Sequence, residues 1–117
     1  MPRFMYVIAV DEAAMADATP EQMEGMMQAH SDWAKAVADA GATILAGDPL
    51  APSTTATTIR HGADGSAVVT DGPFAETKEA LGGYYILECA DGDVALALAK
   101  SLPAGTVELR PIVDLPS

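Results

Sequence analysis

Two side chains in this sequence, His30 and Asp71, have the chemical types needed for acid–base catalysis without a cofactor. A neutral imidazole accepts a proton near neutral pH, and a nearby carboxylate fixes its tautomer and raises its basicity. His30 lies on the apolar stripe of a predicted helix, three residues after Met27 and three before Trp33, so it is expected to face the sheet. The two residues therefore predict a general base and its orienting or acidic partner in or beside one pocket.

Both residues also have a purely structural interpretation. A single His on an apolar stripe is more often a core residue with one satisfied hydrogen bond. Asp71 opens Asp71-Gly72-Pro73-Phe74, a sequence typical of a tight turn in which Asp bonds to backbone amides. In that interpretation Phe74 anchors the turn in the core. The distance between the two side chains decides between the interpretations.

Four further residues are candidates for contact with a small-molecule substrate: Phe74, Lys78, Tyr84 and Arg110. Lys78 lies among acidic residues and forms either a surface salt-bridge network or an anion clamp at the pocket rim. Arg110, near the end of a strand, can neutralise a buried carboxylate or bind an acidic ligand. Tyr84 and its neighbour alternate across a strand, so one faces the helices and the other the second sheet face.

The elements that must position these residues follow from apolar periodicity and turn signals. Thr19 and Gln22 predict a capping box with Pro20 in the first helical turn, and Gly41 predicts the helix end. A second helix is predicted over residues 91–102, where Pro103 stops it. Strands are predicted over residues 3–10, 42–47, 54–60, 66–70, 83–89 and 106–113, with the third and fourth forming a hairpin around the turn at 61–65.

This order is β-α-β, a β-hairpin, then β-α-β, which predicts a ferredoxin-like α+β fold in one domain covering residues 1–117. Two helices cover only one face of such a sheet. The first strand is nevertheless apolar on both faces, with Tyr6 and Ile8 on one and Met5 and Val7 on the other. A homodimer packed sheet to sheet, the dimeric α+β barrel, is the simplest cover for the second face.

Composition excludes several classes of function. The formal charge of −11 disfavours nucleic acid and anionic membrane surfaces as partners. Cys89 is the only cysteine, which excludes an internal disulfide and a multi-thiolate metal site and suits a reducing cytoplasm. The start of the chain does not resemble a signal peptide, and no apolar run reaches the roughly 20 residues of a membrane span. No metal-ligand spacing, phosphate loop or dinucleotide fingerprint is present, so neither metal nor cofactor is expected.

The stretch from Asp71 to Glu88, with its Asp-Gly-Pro-Phe turn and its Gly-Gly-Tyr-Tyr strand, resembles the signature of the DGPF or YCII-related family. The resemblance extends to the Thr-rich strand Thr54 to Arg60 and to the closing strand Glu108 to Pro111. It implies the ferredoxin-like fold and the dimeric α+β barrel.

The resemblance also implies that Asp71 lies at the mouth of a pocket between sheet and helix, as half of an acid–base pair. YCII-type proteins carry a His about three turns before the Gly that closes the first helix, and His30 stands 11 residues before Gly41. DGPF-type members more often have an aromatic or another polar residue there. The leading hypothesis is a small cytoplasmic enzyme that acts on a small organic molecule. The alternative, from the family's frequent gene proximity to alternative sigma factors, is a non-catalytic ligand- or protein-binding module in sigma-factor regulation.

Overall fold

A computed structural model describes residues 1–116 of the chain. The helices are α1 (Glu12–Ala16), α2 (Pro20–Asp39) and α3 (Gly92–Ser101), and a short 3₁₀ turn covers Ser53–Thr55. The strands are β1 (Arg3–Asp11), β2 (Thr43–Pro49), β3 (Thr57–His61), β4 (Ala67–Asp71), β5 (Glu79–Glu88) and β6 (Thr106–Pro111).

Four strands form one antiparallel sheet in the order β2-β5-β1-β6, and β3 and β4 form a separate two-stranded hairpin. The two crossovers, β1-α2-β2 and β5-α3-β6, place α2 and α3 on the same face. This arrangement confirms the ferredoxin-like α+β fold. The register sets Tyr6 of β1 opposite Tyr85 of β5, with Leu109 of β6 on its other side.

The core lies between this sheet face and the two helices. Alternate residues of β1, namely Phe4, Tyr6 and Ile8, are buried, whereas Met5 and Val7 on the opposite face are only half-buried. Successive side chains of β1 thus point to opposite faces of the sheet, and the face that carries Tyr6 and Ile8 is the one under the helices. The largest fully buried side chains are Tyr6, Val37, Leu87 and Cys89.

Local signals set the ends of α2. The Thr19 hydroxyl accepts from the Gln22 backbone N–H, and the Gln22 side chain accepts from the Thr19 backbone N–H. These two bonds complete the predicted capping box. Gly41 follows the helix with φ of 75°, a conformation that favours glycine. Both predicted ends of this helix are confirmed.

The predicted apolar stripe of α2 is only partly buried, which corrects one expectation. Trp33 and Val37 are in the core and His30 is half-buried, but Met23, Met26 and Met27 are exposed. The reason is length. At 1.5 Å per residue the 20 residues of α2 span about 30 Å, whereas the ten residues of α3 span about 15 Å. The first half of α2 has no comparable helix beside it.

A second correction concerns the hairpin and the turn that follows it. Every residue of β4 is exposed, and 79% of Phe74 is accessible to solvent. Phe74 therefore does not anchor the turn in the core, as its apolar side chain suggested. The Cα radius of gyration is 16.6 Å, against about 13 Å expected for a compact domain of this length. A hairpin that lies apart from the sheet accounts for this extension.

Smaller differences occur at element ends. The connection expected between β1 and α2 contains the short helix α1, which begins where the Asp11 carboxylate accepts from the Ala14 backbone N–H. Strand β2 continues through Asp48 and Pro49, which pair with Tyr84 and Gly83 of β5, and β5 itself begins earlier than predicted, at Glu79. The predicted hairpin is confirmed, with Ile59 opposite Val69.

Candidate functional site

His30 is held against the sheet by Tyr85. The imidazole Nδ1 and the Tyr85 hydroxyl are 2.8 Å apart, within hydrogen-bond distance, and the two rings are nearly parallel, with an interplanar angle of 24°. Tyr85 stands on the helix-covered face of β5, and His30 lies one turn before the buried Trp33 on α2. Helix periodicity and strand alternation together bring these rings into contact. The hydrogen bond at Nδ1 leaves Nε2 as the ring nitrogen available to another group.

An aromatic network extends from this pair into the core. Trp33 contacts Tyr85 with ring centroids 4.8 Å apart, and Tyr6 lies edge-on to Trp33 at 5.9 Å. The Trp33 indole N–H donates to the Leu98 carbonyl at 2.9 Å, and the Tyr6 hydroxyl donates to the Ala95 carbonyl at 2.8 Å. Each polar tip therefore has a partner on α3, which fixes the ring positions behind His30.

Burial keeps the phenols in this network neutral. It raises the pKa of the Tyr85 hydroxyl above its ordinary value. It also raises the pKa of Tyr6 to about 12, with a smaller contribution from Cys89. Tyr85 can therefore exchange a hydrogen bond with His30 in either direction at neutral pH without carrying a charge.

Asp71 lies on a different feature, an open cleft of about 450 Å³ beside the signature turn. The residues around it supply two carboxylates, three hydroxyls and several small side chains. They are Ser53, Thr54, Asp71, Gly72, Pro73, Ala75, Glu76, Thr77 and Ala80. Such a lining offers acceptors and hydroxyl donors, which suits a polar organic molecule with hydroxyl or amine groups.

Backbone contacts hold one wall of the cleft, the turn at Gly72. Its N–H donates to the Ala56 carbonyl at 2.7 Å, and the Thr58 hydroxyl donates to the Gly72 carbonyl at 2.7 Å. The φ of Gly72 is 104°, which side chains with a Cβ rarely adopt. The glycine in the signature is therefore required by backbone geometry, as the sequence indicates.

The other wall is joined to α1 through Ser53. Its backbone N–H donates to the Glu12 carboxylate at 2.6 Å, and its hydroxyl donates to the other carboxylate oxygen. These hydrogen bonds lower the pKa of Glu12 below its ordinary value, and the bond from the Ser53 hydroxyl has the largest effect. The charged Glu12 carboxylate therefore has a structural role, because its two hydrogen bonds hold Ser53 at the edge of the cleft.

The structure does not pair His30 with Asp71 by a direct hydrogen bond within residues 1–116 of one chain. His30 has Tyr85 as its ring partner and is not among the residues that line the cleft beside Asp71. The two acid–base candidates thus belong to two different features of the fold: the contact between α2 and the sheet, and the turn after the hairpin.

The four substrate-contact candidates are dispersed. Phe74 follows Pro73 of the cleft and is exposed, and Lys78 is exposed in the loop before β5. Lys78 takes part in none of the ion pairs found among residues 1–116, so the expected salt-bridge network around it is absent from that part of the chain. Arg110 pairs with Glu108 at 2.6 Å on the edge strand β6 and does not line the cleft.

Tyr84 lies on the uncovered sheet face, opposite to the face on which Tyr85 packs. Its hydroxyl donates to the Asp48 carboxylate at 2.9 Å, and this hydrogen bond raises the pKa of the phenol. The predicted alternation of the two tyrosines is confirmed. Tyr84 and Asp48 form a polar pair on a face that also carries Met5, Val7 and Ile86.

Sequence reasoning did not identify three participants: Tyr85 as the partner of His30, and Ser53 and Glu12 at the cleft. A strand tyrosine on the same face as a helix histidine was the available signal for Tyr85. Ser53 and Glu12 are 41 residues apart in sequence, and no local pattern links them.

Among the described residues no group of three or more His, Cys, Asp or Glu side chains is placed to hold a metal ion. No helix formed by these residues is long and apolar enough to cross a membrane.

Comparison with known proteins identifies the class of domain. The model of the YCII-related domain matches residues 3–116, nearly the whole chain. The chain belongs to the YCII-related domain family. An uncharacterised protein of Rhizobium meliloti (strain 1021) is 46% identical over 78 residues, which cover 58% of this chain and 62% of that relative. The alignment thus spans less than two thirds of the relative's own length.

Proposed function

We propose that this chain is a small homodimeric protein that performs cofactor-free acid–base chemistry on a small organic molecule, with His30 as the base. The observation that carries the proposal is the 2.8 Å contact between His30 Nδ1 and the Tyr85 hydroxyl. When Nδ1–H donates to the Tyr85 oxygen, Nε2 holds the lone pair that accepts a proton. A half-buried imidazole with a fixed ring plane has the properties of a positioned base.

Tyr85 then takes the orienting role that the sequence assigned to Asp71. We keep for Asp71 the second role, that of an acid beside the substrate, and its place at an open cleft lined by hydroxyl groups supports the contact with a substrate. The proposal requires a substrate bound in this cleft to extend toward α2, so that its reacting carbon lies between the two groups. The reaction class is proton transfer next to a carbonyl, or lactone chemistry, which needs a base and an acid but no metal.

Exchange of carbon-bound hydrogen for deuterium tests this chemistry before the substrate is known. A panel of small ketones, lactones and keto acids is incubated in D₂O with the wild type and with His30→Gln, Asp71→Asn and Tyr85→Phe. Carbon-bound exchange is followed by proton NMR. We expect the wild type to catalyse exchange in at least one compound, and we expect the exchange rate to be roughly 10²–10⁴-fold lower in His30→Gln. His61→Gln, the same change at the exposed end of the hairpin, is the matched control. Equal exchange rates in wild type and His30→Gln would refute the role of His30.

The homodimer is supported by the uncovered sheet face. Met5, Val7 and Ile86 lie there with side chains that remain half-exposed in a single chain. Apolar area of this kind drives association of two copies. Sedimentation equilibrium at micromolar concentration should give about twice the 12.0 kDa monomer mass. A monomer throughout the concentration range would contradict the dimer, and Val7→Glu should shift a true dimer toward monomer.

The second candidate is a non-catalytic binding module, which for some members of this family would act in sigma-factor regulation. The separation of the cleft from His30 favours it, because ligand binding at Asp71 needs no contact with the imidazole. In that case a ligand would shift the NMR signals of Thr54, Gly72 and Thr77 without hydrogen exchange in the ligand. Asp71→Asn would weaken such binding, whereas His30→Gln would leave it unchanged.

A further inference from the structure

The first half of α2 presents three methionine thioethers and one imidazole on a single face. Met23, Met26, Met27 and His30 occupy positions i, i+3, i+4 and i+7, which share one side of an α-helix. The exposed fractions of the three methionines are 49%, 39% and 72%. These three side chains are therefore exposed, although apolar side chains at these helical spacings usually pack in a core.

Thioether sulfur is a soft ligand that favours monovalent copper over Zn²⁺, Mg²⁺ or Ca²⁺. Neighbouring positions on this face have Cβ atoms about 5–6 Å apart, and each methionine has three rotatable bonds, so the sulfur atoms can converge on one ion. We propose that Met23, Met26, Met27 and His30 form a binding site for a soft monovalent cation, Cu(I) or its analogue Ag(I).

The position of His30 strengthens this assignment. A metal-binding histidine usually donates its second ring N–H to a neighbouring acceptor, which fixes the tautomer and orients the ring. Tyr85 occupies that place, because its hydroxyl lies 2.8 Å from Nδ1. Nε2 is thereby left as the nitrogen for the ion.

The ligand set also separates soft from hard cations. Among the described residues no group of three or more His, Cys, Asp or Glu side chains is placed to hold a metal ion, so this part of the chain offers no carboxylate cluster for Mg²⁺ or Ca²⁺. A charge of −11 favours a cation near the surface without selecting its type. Selectivity for a soft ion therefore depends on the three thioethers.

Titration of the full-length protein with Ag(I), followed by the methionine methyl signals in ¹³C NMR and by calorimetry, tests the site. We expect one ion per chain, with shifts confined to Met23, Met26 and Met27 and an altered His30 ring signal. Leucine is the informative replacement, because it keeps the apolar volume and removes the sulfur. Met23→Leu, Met26→Leu and Met27→Leu should each weaken binding about tenfold or more, and Tyr85→Phe about tenfold.

Met5→Leu, on the uncovered face of the sheet, is the matched control and should bind Ag(I) as the wild type does. Cys89→Ala tests the other soft ligand, which is wholly buried, and should also leave the affinity unchanged. Loss of binding in Cys89→Ala, or wild-type affinity in all three leucine variants on α2, would refute the site. Absence of Ag(I) binding to the wild type would also refute it and would indicate that these methionines form only an apolar surface. An ion on Nε2 would occupy the lone pair that the proposed base uses, so the two roles exclude each other at any one moment, but none of these binding outcomes requires that His30 act as a base.

Discussion

The sheet face under α2 and α3 and the region from β3 to the turn at Gly72 are stabilised by different interactions. Under the helices, Tyr6 and Leu87 are completely buried, and hydrogen bonds to α3 hold the polar tips of Tyr6 and Trp33. In the hairpin region every residue of β4 is exposed, and the turn depends on backbone bonds and on the positive φ of Gly72. The most recognisable motif of the chain therefore lies outside its buried core.

This difference matters for interpreting family signatures. The residues of the Asp-Gly-Pro-Phe turn contribute little to the core: Asp71 faces the cleft, Gly72 satisfies a backbone requirement and Phe74 is exposed. Residues that hold the core need only apolar character and suitable volume, so many sequences can supply them. A motif can thus be specific because it shapes a site, while the fold depends on less distinctive residues.

The largest contrast between the two regions is expected for aromatic truncation. Trp33→Ala should lower the free energy of unfolding by about 3–5 kcal/mol, because it removes a buried ring and its bond to Leu98. Phe74→Ala should change that free energy by less than about 0.5 kcal/mol, because the ring is exposed. Urea denaturation at neutral pH compares the two variants directly. A large loss for Phe74→Ala would mean that another surface, such as a second copy, covers this ring in solution.

The sequence predicted those parts of the fold that depend on short-range chemistry. The capping box of Thr19 and Gln22, the helix end at Gly41 and the buried side of β1 each depend on a few neighbouring residues. The exposure of Met27 could not be predicted in this way, because periodicity identifies the apolar side of a helix but not whether another element covers it.

The same limit applies to the candidate site. The motif predicted a turn at Asp71 and Gly72, and the positive φ of Gly72 agrees with that turn. The open cleft beside the turn includes no residue of α2 or α3, so the functional pocket between sheet and helix that the resemblance implied stays a prediction. The motif gave no indication that Tyr85 would be the partner of His30, since 55 residues separate them and the contact depends on how α2 crosses the sheet. Backbone geometry within one turn can be predicted from the sequence, whereas a contact between side chains of two distant elements cannot.

Glycine substitutions provide a smaller but more specific contrast. Gly72→Val should destabilise the protein by about 1–3 kcal/mol, because a β-branched residue resists a φ of 104°. The space around Gly72 is open, so this loss would reflect backbone strain alone. Gly25→Ala in α2 also meets no neighbouring atoms, and it should stabilise the helix by about 0.5–1 kcal/mol. Opposite shifts of the urea midpoint are therefore expected, and equal shifts would contradict the assigned backbone geometry at Gly72.

The smallest expected effect concerns the hydroxyl of Tyr6. Tyr6→Phe removes the bond to the Ala95 carbonyl and should cost about 1 kcal/mol at neutral pH. The variant should also respond differently to alkali. Burial raises the pKa of Tyr6 from 10.0 to about 12, so the folded protein holds this proton more tightly than the unfolded chain does. Its contribution to stability is complete below pH 10 and is lost as the pH rises through 12.

Urea midpoints measured between pH 8 and about pH 11.5 should therefore fall more steeply for the wild type than for Tyr6→Phe. Some decline will remain in the variant, since burial also raises the pKa of the Tyr85 phenol and of the Cys89 thiol, and the hydrogen bond to Asp48 raises that of Tyr84. Tyr84→Phe gives the comparison for a tyrosine outside the core, and it should reduce the alkaline decline less than Tyr6→Phe does. Parallel curves for the wild type and Tyr6→Phe would show that Tyr6 does not carry the alkaline loss, and that the ring network behind His30 is more hydrated than its burial indicates.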